Sequence, residues 1–148
     1  MKDTNNLLSY NVWSGSEYDG SISGFSKGSN LTLIPSNEFS IIGECSIKGI
    51  RTGDSSYYMD IQRLTTLSVG NTVTSTLKVY TPNTSVSVEL LSENQGNISV
   101  VTVYASNLVQ EISVSGVVPT NSGYIATRIQ AYEKNKPFYI DDISLTVS

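Results

Sequence analysis

Six polar side chains, three on each of two short segments, are the residues of this chain best placed to do chemistry. Tyr58, Asp60 and Gln62 alternate with Met59 and Ile61, and Arg128, Gln130 and Tyr132 alternate with Ile129 and Ala131. Such alternation puts the apolar residues on one face of a strand and the polar ones on the other. A ring beside a carboxylate, amides and a guanidinium is a combination that recognises sugars. The aromatic face covers the C–H surface of a pyranose, and the planar polar groups hydrogen-bond its hydroxyls. The plain alternative is a solvated sheet carrying ordinary polar residues. Trp13, the sole tryptophan, precedes Ser14-Gly15-Ser16 and admits two readings, an exposed stacking platform or a filler of the core or sheet edge.

Catalysis has little to work with. The chain contains no histidine, so it lacks the commonest general base and transition-metal ligand. Cys45 is the only cysteine, which rules out an intrachain disulfide and a cysteine-based zinc site. It stands in an apolar–polar alternation and reads as a small buried hydrophobe. Glycoside hydrolysis would need two carboxylates across a cleft, and Asp60 and Glu89 are the pair to consider. Nothing in the sequence shows a pocket that encloses them. The expectation is a binding protein, not an enzyme.

The bulk numbers narrow the partners. The 148 residues fit one domain with a real core. Charged residues make up 15% of the chain and the net charge is −4, without a run of Lys and Arg. Nucleic acid and anionic membrane surfaces are therefore poor partners. No stretch reaches the ~20 apolar residues of a membrane span, and Met1 to Tyr10 lacks the pattern of a signal peptide. The reading is a module excised from a larger protein, monomeric within it and working at the cell surface or outside the cell.

Strands must position these residues. No segment sustains a helical apolar period, whereas period-2 alternation recurs throughout. It marks strands over 31–35, 44–51, 57–64, 71–80, 85–91, 98–105, 111–118, 124–132 and 138–147. Turn clusters such as Thr81-Pro82-Asn83 and Asn94-Gln95-Gly96 separate them. Nine or ten strands at this spacing predict an all-β sandwich or barrel. Residues 14–28, rich in Gly and Ser, are the one long irregular stretch.

Four ordered stretches resemble the carbohydrate-binding modules of the family 4/9/22 superfamily. Asn6-Leu7-Leu8 is similar to the family's opening, and Gly24-Phe25-Ser26 to its Gly-Trp turn. Gly43 to Lys48 resembles its Gly-x-x-Ser-Leu-Lys strand. Phe138-Tyr139-Ile140-Asp141-Asp142-Ile143-Ser144-Leu145 is similar to its aromatic-x-Ile-Asp-Asp-Val-x-Leu ending. The segment after Leu8 departs from the family pattern, because Ser9 to Ser14 contains no glutamate.

The resemblance implies a galactose-binding-like jelly roll of two antiparallel sheets. It implies that segments 57–64, 85–91 and 124–132 share the concave sheet, so that Ser87 and Glu89 join the groove, and that the partner is a polysaccharide or glycan. It also implies a structural Ca2+, for which Glu44 and Asp141 are the matching positions. Alternation sets Asp141 on the face of Ile143 and Leu145, pointing inward and needing a partner, and Asp142 on the other. The contrasting reading is a structural or adhesive sandwich of a surface adhesin or virion tail protein that binds no sugar.

Overall fold

A computed structural model describes residues 6–8, 24–41 and 46–148, and these form two antiparallel five-stranded sheets with no helix among them. The strands are β1 (Phe25–Lys27), β2 (Leu31–Ser36), β3 (Ser46–Arg51), β4 (Tyr58–Leu64) and β5 (Thr72–Tyr80). They continue with β6 (Val86–Ser92), β7 (Gly96–Val103), β8 (Gln110–Val117), β9 (Ile125–Ala131) and β10 (Pro137–Val147). One sheet runs β1-β4-β9-β6-β7 and the other β2-β3-β10-β5-β8. Neither sheet closes into a barrel. The architecture is a jelly-roll sandwich.

The predicted alternation is what buries the core. Val73, Leu77 and Val79 of β5 and Ile140, Ile143 and Leu145 of β10 meet Met59, Ile61, Val86, Val88, Leu90, Ile125 and Ile129 of the facing sheet. One polar pair lies between the sheets, where the Ser75 and Thr127 hydroxyls share a hydrogen bond at 2.6 Å. Each hydroxyl satisfies the other, which removes most of the cost of burying them.

Two details correct the sequence reading. Phe25–Lys27, within the stretch read as irregular, is a short edge strand on β4. Asp141 does not continue the inward face. Ile140 pairs with Val79 and Asp141 with Lys78, and the register then slips so that Ser144 pairs with Thr76. The extra residue returns Ile143 and Leu145 to the core, and Asp142 takes a left-handed φ of 52°. Asp141 is nonetheless fully buried, as expected, and its Oδ1 accepts the Asp142 N–H at 2.8 Å.

The Asn6-Leu7-Leu8 opening has a physical role. The Asn6 amide donates to the Ile143 carbonyl at 3.0 Å, and its carbonyl accepts the Leu145 N–H at 2.9 Å. Leu7 adds a backbone bond to the Leu145 carbonyl, and Leu8 enters the core. A side-chain amide thus stands in for a strand partner beside the second half of β10.

Candidate functional site

The outer face of β4, β9 and β6 carries the nominated residues, and strand register sets them in rows. Tyr58 pairs with Gln130 and Gln130 with Ser87, while Asp60 pairs with Arg128 and Arg128 with Glu89. Directly paired side chains on one face are within contact distance. Six of the nine nominated binding residues therefore form one polar platform. Gln62 lies toward β1, where its N–H donates to the Gly24 carbonyl. Trp13 and Glu44 lie outside the described residues, as does Cys45.

The platform has two parts. The first is an ion cluster around Asp60, which is fully buried. Arg128 grips it with both prongs, Nε to Oδ1 at 2.6 Å and Nη2 to Oδ2 at 2.9 Å. Arg63 adds Nε and Nη2 on Oδ2 at 3.0 and 2.9 Å. The guanidinium of Arg128 stands 4.2 Å over the Tyr58 ring, and that of Arg63 stands 4.4 Å over Tyr124. The hydrogen bonds to Asp60 hold Arg128 above the ordinary arginine pKa despite its partial burial. This network is self-satisfied, and it braces the platform.

The second part is an open cleft of about 420 Å³ beside the cluster. Ser87, Glu89 and Gln130 form its polar floor, and Tyr57, Tyr132 and Val100 contribute to its walls. Glu89 is only 8% exposed. The Gln130 amide donates to its two oxygens at 3.4 and 3.2 Å, and the Ser87 hydroxyl reaches it at 3.5 Å. These long bonds to a carboxylate leave acceptor capacity facing the cleft. The Tyr132 hydroxyl shares a hydrogen bond with Thr102 on β7 at 3.2 Å, which fixes its ring at the rim.

Arg51 closes this end of the sandwich. It belongs to β3 of the opposite sheet, yet its Nη1 donates to the Ala131 and Tyr132 carbonyls at 3.1 and 2.9 Å. Its Nε donates to the Gly53 carbonyl at 2.7 Å, and its guanidinium stands 3.6 Å over the Tyr57 ring. The sequence reading missed Arg51, Tyr57 and Arg63. Arg51 enters the cleft only through the meeting of the two sheets, and Tyr57 joins it just before β4 starts. Simple alternation assigns Arg63 to the inward face of Ile61, and the register slip between Ile61 and Leu64 breaks that alternation.

On the outer face of the other sheet, Phe39 stacks on Tyr80 with ring centroids 3.7 Å apart, and Tyr139 packs against both. The buried Tyr139 hydroxyl is pushed up to about 12 by desolvation and by its hydrogen bond to Glu38. Lys78 and Tyr80 lie on this sheet. No group of three or more Asp, Glu, His or Cys converges on a metal-sized point among the described residues. Asp141 is a buried carboxylate that could serve as one oxygen ligand.

No protein-family model and no characterised protein sequence matches the chain. Solved structures match its fold. The enzymatically active domain of bacteriophage CBA120 tailspike protein 4 superposes with a TM-score of 0.68 at 15% identity. That match covers 97% of this chain, which spans only 22% of the tailspike chain. A xylan-binding domain of family 22 gives 0.67 at 12% identity, over 99% of this chain and 97% of that one. The C-terminal family 22 carbohydrate-binding module of Clostridium thermocellum Xyn10B gives 0.64 at 16% identity, over 95% and 96%. The chain has the two-sheet jelly-roll fold of these domains over essentially its whole length.

Proposed function

We propose that the protein is a non-catalytic carbohydrate-binding module that takes an uncharged polysaccharide chain into the groove on β4, β9 and β6. The observation that carries this reading is the cleft itself, a floor of Glu89, Gln130 and Ser87 flanked by the Tyr57 and Tyr132 rings. Acceptors and amides below and rings at the sides suit a ring of hydroxyls with an apolar face. The charges balance locally, which favours a neutral ligand. Arg63 and Arg128 share Asp60, Arg51 faces Asp54 at 3.5 Å, and Glu89 pairs across the strands with Arg128. The family 22 domains of the same fold are described as xylan-binding, which makes xylan the first ligand to try.

The same reading makes the chain a monomeric targeting module of a larger secreted or cell-surface protein. It also includes a structural Ca2+ held by Asp141 and Glu44, for which the burial of Asp141 is the support. EDTA should then lower the thermal midpoint, since a ion bound only by the native state adds stability. An unchanged midpoint removes the ion.

The deciding experiment is a glycan array and affinity electrophoresis in soluble xylan, with wild type and the variants Gln130→Ala and Tyr132→Ala. Both side chains are cleft residues outside the Asp60 cluster, so their loss leaves the fold intact. Binding should weaken about tenfold in each. Wild type that binds no glycan sinks the reading. The second reading, a structural or adhesive sandwich as in a tail fibre, would then stand, and the tailspike match together with the modest aromatic lining of the cleft favours it.

A further inference from the structure

Tyr104 is the unabsorbed feature of the groove side. It follows β7 directly, and its 73% exposure is the largest among the chain's described large hydrophobics. Val103 is buried in the core, while Val100, on the outer face, is exposed and lines the cleft. Alternation sets Val100, Thr102 and Tyr104 on that same outer face. Thr102 pairs with Ser87 of the cleft floor and holds the Tyr132 hydroxyl. Tyr104 is therefore the next outward residue beyond the rim.

The register fixes the placement of the two backbones. Tyr132 donates its N–H to the Ser85 carbonyl at 2.9 Å, just before β6, and Val86 pairs with Val103 at the end of β7. Tyr132 and Tyr104 thus stand at matching ends of β9 and β7 with β6 between them. Two strand spacings put their backbones about 10 Å apart, and the Tyr132 side chain reaches across β6 toward Thr102, so that its ring and Tyr104 border one continuous surface. The Gln110 amide donates to the Tyr104 carbonyl at 3.1 Å and anchors the backbone that carries the ring. A tyrosine has few rotatable bonds to freeze, so an exposed one can bind at low entropic cost.

We propose that the groove continues over β6 and β7 to Tyr104, which forms an outlying stacking subsite for a sugar unit beyond the one at Tyr132. This rests on the carbohydrate-binding reading of the cleft. It makes the site one for extended chains that pass out of the cleft, with affinity that grows with chain length.

The test is titration calorimetry with xylo-oligosaccharides of two to six units against wild type, Tyr104→Ala and Tyr104→Phe. Wild type should gain affinity with length. Tyr104→Ala should bind the shortest bound oligomer as wild type does and lose about three- to tenfold on the longest. Tyr104→Phe keeps the ring and should follow wild type. Equal losses at every length, or an undiminished length dependence in Tyr104→Ala, would overturn the subsite and leave the cleft reading standing. Wild type that binds no oligomer overturns both.

Discussion

Asp60 shows how a residue nominated for recognition serves as a brace. Its carboxylate has no exposure and holds two guanidiniums, so removing it strands Arg128 and Arg63 against a buried wall. Asp60→Ala should cost about 3 kcal/mol in urea unfolding, whereas Gln130→Ala should change the midpoint little. Alternation set Asp60 and Arg128 on the outward faces of their own strands, and the family resemblance implied that those strands share a sheet. The sequence could not show that they grip each other and leave Glu89 and Gln130 as the polar floor of the open cleft. Tyr139 gives a second residue-scale prediction. Its pKa lies at about 12 in the fold, against about 10 for an ordinary tyrosine. The folded state keeps the proton that the unfolded state releases. The stabilisation is complete below pH 10 and is lost as pH rises from 10 to 12. Urea midpoints should fall across that window by more in wild type than in Tyr139→Phe, a difference of about 2 kcal/mol at its upper end.

Strands are positioned by where glycines and bulges fall. Gly49 of β3 pairs with Phe138 of β10, and a Cβ at Gly49 would lie 2.3 Å from the Phe138 ring. That ring is fully buried and has nowhere to go. Gly49→Ala should cost about 2 kcal/mol, and adding Phe138→Leu should recover part of it, as a double-mutant cycle would measure. The β10 bulge carries its own test. Asp142, at φ 52°, pairs with Lys78 at 3.1 Å on the surface. Asp142→Val forces a β-branched residue into left-handed backbone and should cost about 2 kcal/mol. Asp142→Gly removes that strain and one exposed ion pair, so its midpoint should stay close to that of wild type. Nine strands were legible as alternating runs. The tenth, Phe25–Lys27, is too short to show a period. The bulge of β10 hides in an Asp-Asp-Ile run that alternation reads straight through.

At the scale of the molecule, Arg51 ties the rim of one sheet to the end of a strand in the other. Two hydrogen bonds from one cation, to the Ala131 and Tyr132 carbonyls, cross between the sheets and resist their parting at the cleft. Arg51→Ala should lower stability by about 2 kcal/mol and weaken xylan binding in affinity gels, because the Tyr57 wall and the Tyr132 backbone lose their common support. Arg51→Lys should restore little, since an ammonium cannot reproduce the planar fork or its stacking on Tyr57.

The sequence by itself determined the fold class, the run of strands and the outward faces, because period-2 alternation and turn residues are local properties of the chain. The same local rule put Tyr58, Asp60, Arg128, Gln130 and Tyr132 on solvent-facing sides. Only the tertiary structure decided that β4, β9 and β6 lie edge to edge in that order, which follows from pairing across long loops. It alone brought Arg51 from the other sheet to the Ala131 and Tyr132 carbonyls and the Tyr57 ring at the cleft. It also divided the nominated residues into a self-paired cluster at Asp60 and an open cleft at Glu89, since burial and partner geometry depend on what the other sheet and the bulges bring near.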